Sequence, residues 1–212
     1  MDTIFLITIL VVIFALAFDF INGFHDTANA IATSVSTRAL KPRVAVLMAA
    51  AMNFLGALTF VGVAKAIASD IVDPFSLNAF NGDVTGSIVI LGALCSAITW
   101  NLLTWYYGIP SSSSHTLIGS LAGAAIGAAG FGILNYEGFV KILQALIISP
   151  VLALVVGFCV MSVFKVIFKN RNLYKANKRF RLLQIATAAI QSFTHGTNDA
   201  QKAMGILSLI HI

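Results

Sequence analysis

The longest stretch of the chain without an Asp, Glu, Lys or Arg covers residues 84–136. About 20 apolar residues cross a bilayer as an α-helix, so this stretch is long enough for two crossings, or for one crossing and a re-entrant hairpin. Only 10% of the 212 residues are charged, against about 25% in soluble domains. The sequence therefore predicts an all-α integral membrane protein. Shorter apolar stretches lie at 4–18, 44–64, 142–164 and 182–198.

These stretches divide the chain into two unequal parts. Residues 1–164 are predicted to form a first transmembrane repeat, and residues 182–212 to form the start of a second, inverted repeat. Residues 165–181 hold seven of the thirteen basic residues and no acid, which predicts a cytoplasmic loop rather than a nucleic-acid site. The helices expected in the first part cover 3–21, 44–66, 84–107 and 138–164, with a broken or re-entrant helix over 110–134.

Charged residues also predict the orientation of the chain. Arg38, Lys41 and Arg43 indicate a cytoplasmic loop, which places the N-terminus outside. The next loop contains Asp70 and Asp73 and is expected to lie outside. The N-terminal residues lack the positive region and cleavage site of a secretory signal, so the first helix is expected to be retained.

A polar motif follows the first apolar stretch and has a counterpart near the end of the chain. The first copy is NGFHDTANAIA, residues 22–32, and the second is HGTNDAQKAMG, residues 195–205. At an offset of 173 residues the copies share a glycine, an aspartate and an alanine. The predicted topology gives them opposite orientations, as in secondary transporters built from inverted repeats. The alternative for each copy is an ordinary helix cap at the membrane surface.

Asp26 and Asp199 are the residues of these motifs that are most costly to bury. A carboxylate in the hydrocarbon region costs about 2.5–3.5 kcal/mol on insertion scales, and such residues commonly line a cavity or an ion path. Carboxylate and amide oxygens bind hard cations, and a buried carboxylate can also take up a proton. Asp26 with Asn29, and Asp199 with Asn198, are therefore candidate sites for a coupling ion. Lys202 is predicted either to pair with Asp199 or to contact an anion.

The motif PSSSSHTLIGS, residues 110–120, predicts the start of a helix within the membrane. Serine hydroxyls and free backbone N–H groups at a helix N-terminus form an anion site that needs no lysine or arginine. The alternative is a capped loop at the interface. His115 is predicted to donate to an anion, to move a proton or to bond a backbone carbonyl. A hydrolase is disfavoured, because the adjacent Ser114 and His115 point in different directions and no nucleophile elbow is present.

Three segments together resemble the inorganic phosphate transporter (PiT) family: NGFHDTANAIATSVSTRAL, WNLLTWYYGIPSSSSHTLIGS and SFTHGTNDAQKAMGI. The bacterial low-affinity branch is the most similar, because of the histidine in GFHD and the NDAQK ending. The resemblance implies a symporter of phosphate, free or as a metal-phosphate complex, driven by H⁺ or Na⁺. It implies phosphate-binding residues and coupling-ion residues. The first set is Ser112, Ser113, Ser114, Asn29 and His115, and the second is Asn22, His25, Asp26, Asn198 and Asp199.

The family pattern also contains a second proline–serine–histidine motif after the second aspartate motif, and the present sequence ends before it. The chain is therefore expected to be C-terminally truncated, with an incomplete second repeat. Two alternatives are a transporter of sulfate or another oxyanion, and an inactive subunit that associates through Gly119, Gly123 and Gly127. The expected setting is the plasma membrane, with phosphate and the bilayer as partners. No cofactor beyond the coupling ion and no enzymatic activity are expected, and a homodimer stays open.

Overall fold

The computed structural model describes residues 3–59, 83–169 and 172–208, and nearly all of them are helical. No strand occurs within these ranges. A 3₁₀ turn, Phe131–Ile133, follows the fourth helix. The prediction of an all-α protein is confirmed. The helices are α1 Thr3–Ser36, α2 Pro42–Ala57, α3 Asp83–Tyr107, α4 Ser113–Ala129, α5 Tyr136–Phe168 and α6 Leu173–Ser208.

Three segments are long and apolar enough to cross a membrane, judged by length and composition: Ile4–Ser36, Thr85–Tyr107 and Tyr136–Phe168. The last of these is α5, whose most apolar window has no buried residue within the described part of the chain. A helix that is apolar on all sides is typical of a membrane span. The multi-span prediction is therefore confirmed.

The main core lies between α1, α3 and α4. Alanines at the contacts let α3 approach both α1 and α4 closely, as small residues do in membrane bundles. This packing holds the first turn of α4 beside the middle of α1. The fully buried residues of this core include Val11, Ala15, Phe18, Leu94, Ala97, Leu117, Leu121 and Ala125.

Helices α2 and α6 cross where each carries a glycine. A Cβ atom on Gly56 would meet the backbone oxygen of Phe193, and a Cβ atom on Gly196 would meet the backbone of Asn53. The two backbones are therefore in direct contact at this crossing. By contrast, a Cβ atom on Gly119, Gly123 or Gly127 would meet no described atom within 4 Å, so the packing face predicted there has no partner in the described residues.

Helices α1 and α6 are antiparallel. Asn22 of α1 bonds to Asp199 of α6, whereas Thr37, just after α1, bonds to Gln184, earlier in α6. Arg181 also donates a hydrogen bond to the backbone oxygen of Arg38. The two aspartate motifs therefore lie side by side on oppositely directed helices, although the inverted repeat itself stays a prediction.

The helix predicted over residues 3–21 does not end there, because α1 continues through the first aspartate motif to Ser36. Polar side chains do not require a helix to end when neighbouring helices satisfy them. Asn22 bonds to Asp199 and Asp26 accepts from Ser113, so the backbone hydrogen bonds of α1 stay intact. The prediction of a helix end at residue 21 was wrong for this reason.

The predicted loop over 165–181 is also wrong, because α5 extends to Phe168 and α6 begins at Leu173. A helix of 33 residues is about 50 Å long and exceeds the bilayer core of about 30 Å, so α5 is long enough to cross the core and still extend beyond it as helix. The ring of Phe180 packs on Phe164 and Phe168, which joins the two helix ends.

The remaining helix predictions differ less from the structure. The predicted helix 84–107 corresponds to α3, and 138–164 lies within α5. The element predicted over 110–134 is α4 followed by the 3₁₀ turn. Of the predicted helix 44–66, residues 44–59 are described, and α2 ends there at Ala57. Residues 60–82, including the predicted outer loop, lie outside the described residues.

Candidate functional site

The serine motif forms the N-terminus of α4. Ser112 is the N-cap residue, and its Oγ accepts a hydrogen bond from the backbone N–H of His115. Ser113, which is 2% exposed, donates from its hydroxyl to Asp26 Oδ2 at 2.5 Å. The expected helix start is therefore present, and it points at the first aspartate motif. The helix dipole favours negative charge at this end of α4.

Lys202 connects the serine motif to the second aspartate motif. Its Nζ lies 2.8 Å from Ser113 Oγ and 2.8 Å from Asp199 Oδ1. The side chain is 4% exposed, so both contacts are made away from solvent. The sequence left open whether Lys202 pairs with Asp199, and the structure contains that ion pair.

The second oxygen of Asp199 has two further neighbours. Asn22 Nδ2 donates to Asp199 Oδ2 at 3.0 Å, and His195 Nε2 lies 2.9 Å from the same oxygen. His195 Nδ1 lies 2.7 Å from Asn53 Oδ1, while the Asn53 amide donates to the backbone oxygen of Ala49. Because the Asn53 oxygen faces the ring, Nδ1 is the donor in this contact.

A cavity of about 300 Å³ lies where α1, α4 and α6 meet. Six of the predicted site residues line it, and two more contact that lining. His25 Nδ1 lies 3.2 Å from Asp26 Oδ1, and Asn22 bonds to Asp199. The lining consists of Asp26, Asn29, Ala30, Ser111, Ser112, Ser113, Ser114, Gln191, His195, Asp199 and Lys202.

Two predicted residues are not brought to this cavity. The side chain of His115 is exposed and borders a separate cavity with Trp100 and Ser120. Asn198 is exposed and absent from the lining, because neighbouring positions on a helix point about 100° apart and Asp199 occupies the inner face. The structure therefore does not support His115 or Asn198 as direct parts of the site.

Two residues of the cavity lining, Gln191 and His195, and their neighbour Asn53 were not singled out in the sequence. Gln191, His195, Asp199 and Lys202 are spaced by four, four and three residues, so they form one polar stripe along α6. That spacing within an apolar context was the signal that would have identified Gln191 and His195. Asn53 had no such signal, because its role depends on the crossing of α2 and α6.

The site contains a set of atoms suited to a cation. One ligand atom from each of Asp26, His195 and Asp199 lies within 4.8 Å of the others. Asn22 Oδ1 is buried and has no hydrogen-bond partner among the described residues. Carboxylate and amide oxygens are the ligands that hard cations prefer. A second, largely apolar cavity of about 730 Å³ reaches Asp199 and His195 from the side of α2.

Comparison with known proteins gives consistent matches over almost the whole chain. The sequence profile of the phosphate transporter family matches residues 22–212. A probable low-affinity inorganic phosphate transporter of Bacillus subtilis is 66% identical over 209 residues, which cover 99% of this chain and 61% of the relative. A protein of the same description from Streptomyces halstedii is 41% identical, with 90% of this chain and 86% of the relative covered.

The fold is similar to that of a solved structure described as the sodium-dependent phosphate transporter. The TM-score is 0.80 at 24% identity, with 96% of this chain and 67% of the other covered. This chain spans about three fifths of the Bacillus subtilis relative and 57% of a Rhizobium meliloti relative that is 44% identical. These proteins are transporters and not enzymes. Because the family profile matches residues 22–212, the chain belongs to the phosphate transporter family.

Proposed function

We propose that the chain carries the binding site of a secondary symporter, which moves inorganic phosphate with H⁺ or Na⁺ across the plasma membrane. The observation that carries this proposal is the position of Ser113. Its hydroxyl contacts Asp26 on α1 and Lys202 on α6, so the serine motif and both aspartate motifs border one cavity. The printed descriptions of the relatives support phosphate as the substrate.

Phosphate would bind at the N-terminus of α4. Free backbone N–H groups, the helix dipole and the hydroxyls of Ser112, Ser113 and Ser114 all favour an oxyanion there. The cavity of about 300 Å³ has room for roughly ten water molecules at about 30 Å³ each, which is ample for a tetrahedral anion. Lys202 adds a positive charge beside this position.

Ser113 also suggests how a cation couples to phosphate. A serine hydroxyl has a single proton, and here that proton is donated to Asp26. A proton or Na⁺ on Asp26 would weaken this bond and release the hydroxyl to donate to phosphate. The cation would also lower the electrostatic cost of the anion, so each ligand would favour binding of the other.

The coupling ion has ligands of the right kind near Asp26 and Asp199. Oxygens of Asp26, Asp199 and Asn22 suit Na⁺, and the two carboxylates also suit H⁺. Together with His195, the two carboxylates form a set of ligands that can also bind a divalent metal. Entry of phosphate as a metal-phosphate complex would require such a set. Measuring whether divalent metal enters together with phosphate distinguishes this form from free phosphate.

The sulfate alternative is disfavoured by Asp26. Monohydrogen and dihydrogen phosphate can donate a hydrogen bond to a carboxylate, whereas sulfate has no proton to donate. A carboxylate that lies beside the serines therefore favours phosphate over sulfate. Competition of labelled phosphate uptake by excess sulfate tests the preference, and we expect little competition.

The proposed orientation has the N-terminus outside. The basic residues after α1 and at the start of α6 lie on one side of the bundle, because Arg181 bonds to Arg38. A shared basic face is what the positive-inside rule associates with the cytoplasm. Rocking of two repeats about the site would then open the site alternately to the two sides of the membrane.

The formation of a homodimer stays a prediction.

Uptake of phosphate into proteoliposomes that contain only this chain tests the proposed function. Gradients of Na⁺ and of pH are imposed separately, and ³²P-phosphate is counted inside the vesicles. We expect accumulation driven by one of the two gradients. Absence of both phosphate uptake and phosphate binding would contradict the proposal and favour an inactive subunit.

Ser113→Ala is expected to weaken phosphate binding by about 10- to 100-fold. The serine hydroxyl contacts charged groups, and hydrogen bonds of that kind contribute about 1.5–3 kcal/mol. Equilibrium binding of labelled phosphate to the purified chain measures the change. Ser120→Ala, two turns further along α4 and outside the cavity, is the matched control and should bind like the unmodified chain. Equal binding by the two variants would argue against a role for Ser113.

A further inference from the structure

The two aspartate motifs differ at one position that the structure places in the shared cavity. At the offset of 173 residues that aligns Asp26 with Asp199, Asn29 aligns with Lys202. Both side chains line the cavity of about 300 Å³. The first motif therefore offers a neutral oxygen ligand where the second offers a fixed positive charge.

The charge of Asp199 is already offset by its neighbours. The Lys202 ammonium lies 2.8 Å from one carboxylate oxygen, and Asn22 and His195 contact the other. Inside a membrane protein, a carboxylate with a bound ammonium attracts a mobile cation far less than a free carboxylate does. Few lone pairs of Asp199 remain available to an added ion.

Asp26 lies in a different electrostatic setting. Its oxygens face the hydroxyl of Ser113 and the ring of His25. No lysine or arginine pairs with Asp26 in the part of the chain that the structure describes. A mobile cation or proton therefore has a stronger electrostatic reason to bind at Asp26, and Asn29 supplies a neutral oxygen in the same cavity.

We propose that Lys202 is a built-in cation that takes the place of one mobile coupling ion at Asp199. The site then takes up its coupling ion on the Asp26 side. This inference rests on the proposed function, because it concerns how many cations accompany each phosphate. Asparagine in place of Lys202 would make the two motifs equivalent at this position and would create a requirement for a second mobile cation.

Lys202→Asn in the full chain tests this inference. The purified protein in nanodiscs is titrated with ²²Na⁺ and with ³²P-phosphate, and protons taken up on phosphate binding are counted in parallel. We expect one additional cation per phosphate, so that the Hill coefficient for the cation rises from about one towards two. The reciprocal variant Asn29→Lys is expected to remove the cation dependence of phosphate binding, because it places a fixed charge beside Asp26.

Lys202→Arg preserves the charge and serves as the control. It is expected to take up the same number of cations per phosphate as the unmodified chain. An unchanged cation number in Lys202→Asn would overturn the inference. Loss of phosphate binding at every cation concentration in a monodisperse Lys202→Asn protein would also overturn it, because Lys202 would then be a direct phosphate ligand. If Lys202→Asn does not stay monodisperse, the Asn29→Lys variant provides the test. Phosphate binding by Asn29→Lys that still depends on the cation would overturn the inference.

Failure of the proposed function is distinguishable from failure of this inference. If the unmodified chain binds no phosphate, the proposed function fails, and cation binding alone still tests Lys202. One more ²²Na⁺ bound, or one more proton taken up, per chain in Lys202→Asn than in the unmodified protein would support the built-in cation. Equal binding of both ions in the two proteins would overturn it.

Discussion

Asp26→Asn is expected to abolish the dependence of phosphate uptake on a H⁺ or Na⁺ gradient. An asparagine carries no charge for the cation to neutralise, and its side-chain oxygen accepts from Ser113 whether or not a cation is present. The factor by which the cation raises phosphate affinity, on the order of 5- to 150-fold for coupled ligands, should fall to about one. Phosphate binding measured with and without the coupling ion gives this factor directly.

Glu137→Gln is the control for removal of a carboxylate. Glu137 lies on the first turn of α5, is exposed, and is not part of the cavity lining. Its replacement should leave both uptake and ion dependence as they are in the unmodified chain. If Asp26→Asn also leaves them intact, Asp26 is not the coupling residue. The role assigned to the Ser113 hydroxyl, which would be released from Asp26 to donate a hydrogen bond to phosphate, is then lost as well.

Gly196→Ala is expected to force α2 and α6 apart. The added methyl group would meet the backbone oxygen, Cα and carbonyl carbon of Asn53, and backbone atoms cannot move aside as a flexible side chain can. Overpacking of this kind costs about 1–3 kcal/mol or more. Because His195 bonds to Asn53 at the same crossing, the setting of Asp199 should change as well. The melting midpoint in detergent should fall, together with phosphate affinity.

Gly23→Ala provides a matched control, since Gly23 occupies the corresponding position of the first aspartate motif. A Cβ atom there would meet no described atom within 4 Å. Alanine in a helix interior is favoured over glycine by about 0.5–1 kcal/mol, so the midpoint should stay the same or rise. An equal loss of stability in both variants would show that the α2–α6 crossing does not have the close contact described above.

Composition and local pattern were sufficient for the fold class. Stretches of 15 to 53 residues without an Asp, Glu, Lys or Arg leave a bilayer-spanning helix as the structure that satisfies every backbone hydrogen bond. The serine motif also carried its own structural information. Proline, serines and a following apolar run specify a helix start through short-range hydrogen bonds, and Ser112 caps α4 as expected.

Local pattern was misleading where polar residues lie within helices. Asn22 and Asp26 resembled the end of a membrane helix, yet α1 continues past them because α4 and α6 supply their partners. The basic residues of 165–181 suggested a loop, yet lysine and arginine are good helix formers, and most of that segment belongs to the ends of α5 and α6. In both cases the charge pattern indicated the environment of a residue and not its backbone conformation.

The sequence by itself determined that this is a membrane protein of helices, with two related aspartate motifs and a serine-capped helix start. Tertiary structure alone decided which of these polar groups meet. Ser113 and Lys202 are 89 residues apart, and Asn22 and Asp199 are 177 apart. Contacts of that range depend on how each helix is rotated and which helices cross at a glycine. For that reason the structure brought His195, Gln191 and Lys202 to the site and left Asn198 and His115 outside it.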